Sequence, residues 1–149
     1  MSNRSVLRRA DILGAWVLVS WTAEVDGEVS TPLGPDPVGT IIYTPDGYMS
    51  AQLMRRDRPA YRRADIDGGT TEQTVAAASG YLAYSGPYTL DESTGAVHHH
   101  VGVSLLPNWL GGTQVRQGHL DGTTLVLSAD STSRKGRTTR STLVWRRPG

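Results

Sequence analysis

Three consecutive histidines, His98, His99 and His100, open an apolar run that continues as Val101-Gly102-Val103-Ser104-Leu105. Imidazole changes charge near neutral pH and ligates metals, so the triplet has three readings: a metal site, a proton-transfer group, or neither. In an extended chain, alternate side chains face opposite sides. His98, His100, Gly102 and Ser104 then point one way, and Val97, His99, Val101, Val103 and Leu105 the other. The aliphatic face is the one expected to be buried, which leaves His99 alone among apolar neighbours and turns His98 and His100 outward. A metal would need His98 and His100 plus a third ligand from another strand, and the sequence names none, so neither a metal nor a cofactor is expected. For His99 two readings stand. It is a structural histidine bonded to a neighbouring strand, or a lumen group acting as acid, base or hydrogen-bond donor to a ligand; burial would keep it neutral.

Other polar side chains could join it. In the strand-like run from Tyr48 to Met54, the set Tyr48, Ser50, Gln52, Met54 alternates with Met49, Ala51, Leu53. If the polar set faces inward, Tyr48 and Gln52 become catalytic or ligand-bonding partners of His99; if outward, they are surface residues. Pro107-Asn108-Trp109, before Leu110-Gly111-Gly112, reads as an aromatic flap in which Asn108 and Trp109 meet a ligand or simply pack. Gln114 and Arg116 carry the same ambiguity of face. The run RRDRPAYRR, residues 55–63, is a solvated loop or a gate in which Arg55, Arg58 or Arg62 pairs with a ligand carboxylate or enolate.

Several chemistries lack their parts. The 149 residues contain no cysteine, which removes disulfides, thiolate metal sites and thiol nucleophiles. No Gly-x-Ser-x-Gly elbow occurs, and Ser104 lies on the strand face opposite His99. Gly111-Gly112 lacks the lysine of a phosphate loop. With fifteen basic and fourteen acidic residues the net charge is +1, so nucleic acid and anionic membrane are not expected partners. No apolar stretch reaches the roughly 18 residues of a membrane span, and a soluble, cytoplasmic protein is the default expectation. Four Trp and six Tyr occur without any Phe, so every large aromatic ring except those exposed brings a polar atom wanting a partner, as suits a cavity of mixed polarity.

The elements that must position these residues follow from turn chemistry. Asp26-Gly27, Pro45-Asp46-Gly47, Ser93-Thr94-Gly95 and Asp121-Gly122 mark tight turns. Between the turns, pattern predicts eight strands, over residues 16–25, 38–43, 48–54, 85–90, 96–105, 113–120, 123–128 and 138–146. Consecutive strands joined by short loops form an antiparallel meander, and eight of them close into an up-and-down barrel without sheet edges. Residues 67–84 break the pattern: the Ala-rich segment, with Val75, Ala78, Ser79 and Leu82 as its stripe, predicts a helix with Thr70 and Gln73 as its capping box. Trp16 is expected to plug one barrel end beneath a cationic Arg146 or Arg140.

The stretches GAWVLVSW (14–21), PLGPDPVGTIIYTPDGYMSAQLM (32–54), GYLAYSGPYTL (80–90) and HHVGVSLLPNW (99–109) resemble the bacterial lipocalin-like domain family. The resemblance covers nearly the whole chain. It implies an all-β, calycin-type, eight-stranded barrel with a central cavity; with the short helix and the Arg-rich lid loop read from the residues, and a length that fits one domain, the expectation is a single domain over residues 1–149. The expected partner is a small hydrophobic molecule held in that cavity, and a homodimer is compatible with the barrel. By analogy with small barrels in natural-product biosynthesis, the leading expectation is a cofactor-independent cyclase or isomerase. Catalysis would fall to His99, Tyr48 and Gln52, with Trp109, Asn108, Gln114, Arg116 and Arg55 around the substrate. The alternative is a non-catalytic carrier using the same cavity. Substituting His99 separates the two, since turnover falls in an enzyme and only affinity changes in a carrier.

Overall fold

The computed structural model describes residues 7–132 and 135–149. A single helical turn, α1 (Arg9–Ile12), leads into β1 (Gly14–Val25), whose end folds back as the short β2 (Glu28–Ser30). Then come β3 (Val38–Tyr43), β4 (Tyr48–Met54), helix α2 (Thr71–Ser79), β5 (Tyr81–Asp91), β6 (Ala96–His100) and the two-residue β7 (Val103–Ser104). A 3-10 turn at Pro107–Trp109 precedes β8 (Thr113–Asp121), β9 (Thr124–Thr132) and β10 (Thr138–Arg146).

Every pairing is antiparallel. The order β1-β3-β4-β5-β6-β8-β9-β10 follows the chain and closes through β10 against β1, giving an eight-stranded barrel. Closure leaves no long unpaired edge. The closing seam runs from Val17 opposite Arg146 to Val25 opposite Thr139, with an irregularity between Leu18 and Ser20 that lets β1 bend from β3 toward β10.

The barrel is solid at one end and hollow at the other. At the solid end Ile12, Trp16, Tyr43, Met49, Tyr88, Val97 and Leu125 are buried against one another. Trp16 donates its indole N–H to the Ile12 carbonyl at 3.0 Å. The cation over its ring is Arg147, 3.7 Å from the centroid, not Arg146 or Arg140. Arg147 also donates to the Ala15 and Asp11 carbonyls, a position reached only from just beyond the strand end. Arg140 instead lies on the outer face beside Asp130.

Two local expectations differ from the structure. The helix begins at Thr71 with the Thr70–Gln73 capping box in place, but it stops at Ser79, where the Gly80 N–H caps the Ala76 carbonyl. Leu82 therefore belongs to β5, and Val75 is 61% exposed, so neither forms an apolar stripe. The run 96–105 is broken as well: β6 ends at His100, and Val103 and Leu105 are exposed rather than buried. Gly102 donates to the Ser85 carbonyl, turning the chain out of register before β7 rejoins β5.

Candidate functional site

The hollow half encloses a cavity of about 630 Å³. Its walls include Ile41 from β3, Ala51 and Leu53 from β4, Leu82 and Tyr84 from β5, and His99 from β6. Gln114 and Arg116 come from β8, Leu127 and Ala129 from β9, and Leu143 and Trp145 from β10. Ala129 and Ser141 are cross-strand neighbours, and these small side chains leave unfilled the space that Tyr and Trp occupy at the other end. Trp21 and Trp109 add aromatic surface, and Pro32 and Leu33 line it from the β2–β3 loop.

His99 is wholly buried at the boundary between the solid and hollow halves. Its Nε2 lies 2.7 Å from the Tyr43 hydroxyl, and its Nδ1 lies 2.9 Å from the Tyr84 hydroxyl. Burial, reinforced by the charges of Arg116, His100 and His98, pushes its pKa down to about 3, so it is neutral at physiological pH. Burial also raises the pKa of both phenols, keeping them protonated. A neutral imidazole offers one donor and one acceptor. Tyr43 is completely buried, and among the described residues its hydroxyl has only His99 as partner. Were Nε2 the protonated nitrogen, the Tyr43 proton would have no acceptor, at a cost of about 1–3 kcal/mol. Satisfaction therefore assigns the direction: Tyr43 donates to Nε2, Nδ1–H donates to Tyr84, and the Tyr84 O–H is left for the cavity. Arg116 faces the same oxygen, and its positive charge opposes the burial-driven rise in the Tyr84 pKa. A donor pair, phenol and guanidinium, thus converges on one spot of a largely apolar wall.

The other residues singled out from sequence divide cleanly. Gln114 and Arg116 line the cavity beside His99, with Gln114 directly opposite it in the β6–β8 register. Trp109 also lines it, its ring edge-on to Tyr84 with centroids 5.2 Å apart. Tyr48 and Gln52 do not face the lumen. Tyr48 is 56% exposed, and Gln52 accepts a hydrogen bond from Tyr81 on the outside. Burial of Met49, Ala51 and Leu53 fixes the opposite face inward, so a catalytic role for Tyr48 or Gln52 inside the barrel is corrected. Asn108 is exposed and outside the cavity lining.

Arg55 is likewise off the wall, bonded to Asp57 at 3.2 Å. Arg58 stacks on Tyr81 and donates to the Ala77 carbonyl, which ties the arginine loop to α2. Neither it nor Arg62 lines the cavity. His98 and His100 face out, stacked with centroids 6.4 Å apart, and His100 is bonded to Thr89 and Thr113. Among the described residues no cluster of three or more His, Cys, Asp or Glu is placed to hold a metal.

A family described as a lipocalin-like domain matches residues 13–148. The chain belongs to that family. The chain is also 40% identical over 106 residues to the 4'-hydroxy-3'-methoxypropiophenone carrier protein ppsC of Aspergillus oryzae. The alignment covers 66% of this chain and 96% of that protein. As a lipocalin-like domain, the chain carries its pocket in the barrel lumen, and no helix among the described residues is long and apolar enough to cross a membrane.

The residues missed from sequence are Tyr43, Tyr84, Trp21 and Trp145. For Tyr43 a signal existed: Gly39, Ile41 and Tyr43 alternate on one face of a correctly bounded strand.

Proposed function

We propose that this lipocalin-like protein binds and carries a small, largely apolar molecule in the hollow half of its barrel, with one acceptor oxygen of the cargo held at Tyr84. An aromatic ketone of the kind named for the Aspergillus relative fits this reading. The observation that carries it is the cavity itself. Its 630 Å³ lies within the roughly 300–1,000 Å³ of small-molecule sites, and its wall is aliphatic and aromatic with a few convergent donors.

The same geometry weighs against the cyclase or isomerase reading. A general base works best with a pKa near the operating pH. His99 has both nitrogens engaged by tyrosines and a pKa of about 3. It orients Tyr84 rather than exchanging protons with a substrate.

The test is a calorimetric titration with 4'-hydroxy-3'-methoxypropiophenone, followed by NMR of the recovered ketone. Saturable uptake of one molecule per chain, with the ketone returned unchanged, is the expected result. Ala129→Phe, which places a ring in the cavity, is expected to weaken uptake at least tenfold. Absence of uptake contradicts the carrier reading, and conversion of the ketone to an isomer would replace it by the enzymatic one.

A further inference from the structure

Among the described residues that line the cavity, Arg116 is the only cation. Its hydrogen bonds go to neutral oxygens, the Val115 carbonyl at 3.1 Å, Gln114 Oε1 at 3.4 Å and the Tyr84 hydroxyl. No carboxylate among the described residues pairs with it. The titratable residues of the lining are Tyr81, Tyr84, His99, Arg116 and Asp130. Asp130 is exposed beside Arg140 at 3.8 Å. Tyr81 donates outward to Gln52. Tyr84 and His99 are neutral for the reasons given above. A guanidinium has five N–H donors, so donors remain for a partner inside the lumen.

We propose that the cargo carries an acidic oxygen and is held as its anion, with Arg116 as counter-cation and Tyr84 as the hydrogen-bond donor that completes the site. This rests on the carrier reading and adds the chemical class of the ligand's polar end: a phenol acidified by a para acyl group, a carboxylic acid, or an enol. A partly buried cation without a counter-ion lies where water is limited, and an anionic oxygen restores the balance while the apolar remainder of the ligand fills the hollow half. An opposite charge within about 4–6 Å lowers an acid's pKa by about 1–3 units, which is a preference of about 10- to 1,000-fold for the ionised form. Tyr84 supplies a second, directional donor, because the Tyr43–His99 chain already satisfies its acceptor side. A neutral cavity wall would show no such preference.

The probes are para-hydroxypropiophenone and its methyl ether, which have nearly the same shape but differ in the ability to ionise. The phenolate of the former absorbs at longer wavelength than the phenol. Near pH 7 the wild-type protein is expected to show the phenolate band for the bound hydroxy ketone, and to bind it at least tenfold more tightly than the ether. Arg116→Gln is expected to abolish both the band and the preference while still binding the ether, and Arg116→Lys to retain the band. Equal affinity for the two ketones, with the bound phenol neutral, overturns this inference and leaves the carrier reading standing. If neither ketone binds, the carrier reading for this ligand class falls, and the inference falls with it.

Discussion

His99→Phe is expected to destabilise the protein by about 3 kcal/mol at pH 7, and by less on acidification. The phenyl ring keeps the outline of the imidazole but neither accepts from Tyr43 nor donates to Tyr84. The Tyr43 hydroxyl, completely buried and with no other partner among the described residues, then loses its only bond, at about 1–3 kcal/mol. Loss of the bond to Tyr84 adds about 1 kcal/mol.

The pH dependence follows from the same burial. In the unfolded chain His99 binds a proton below its ordinary 6.5, whereas in the fold its pKa is about 3. Between those values the unfolded state holds more protons, so stability is complete above about pH 6.5 and falls as pH drops toward 3. At about 1.4 kcal/mol per unit, the wild type should lose about 2 kcal/mol through this residue by pH 5, a loss the Phe variant does not share. Urea unfolding of both proteins at pH 7.5 and pH 5 measures the difference. A gap that stays constant would mean that His99 takes up a proton freely in the fold.

Gly86→Ala is expected to cost about 2–4 kcal/mol, although Gly86 does not line the cavity. Gly86 sits on β5 where β6 has ended and the chain crosses over it at Gly102. A Cβ there would overlap the His100 carbonyl oxygen and press on the Gly102 nitrogen, so backbone must move on one strand or the other. The control lies directly across the gap. A Cβ on Gly102 meets nothing closer than the Ser85 carbonyl oxygen at 3.8 Å, so Gly102→Ala should change stability by less than about 1 kcal/mol. Comparable losses in the two variants would mean that the crossing is looser than described. The crossing matters to the site because it releases the loop that carries Trp109 to the cavity. That loop is pinched at its base by Val101 N–H to the Gly112 carbonyl and Gly111 N–H to the Val101 carbonyl.

Much of the barrel is legible in the sequence because turns and alternation are local. The strands at 38–43, 48–54 and 138–146 have the bounds read from pattern, and the Thr70–Gln73 capping box starts the helix as expected. His99 is inward for the reason the alternation gives, between Val97 and Val101. What alternation leaves open is which face of a mixed strand is buried. For β4, the burial of Met49, Ala51 and Leu53 decided against Tyr48 and Gln52. The Ala-rich signal of α2 runs on past Gly80 and absorbs Tyr81 to Tyr84, so the inward alternation of Tyr84 with Gly86 and Tyr88 is hidden inside a supposed helix. The hollow itself is a property of register. Ala129 beside Ser141, and Ser141 beside Ala23, come together only when three strands align.

The four tryptophans provide the most direct measurement. Trp21, Trp109 and Trp145 line the cavity, while Trp16 lies in the solid end with its indole N–H on the Ile12 carbonyl. In a ¹H–¹⁵N spectrum, titration with 4'-hydroxy-3'-methoxypropiophenone should shift the indole resonances of the first three and leave that of Trp16 in place. A ligand that moves Trp16 alone, or that saturates without moving any of the three, would contradict a cargo held in the barrel lumen.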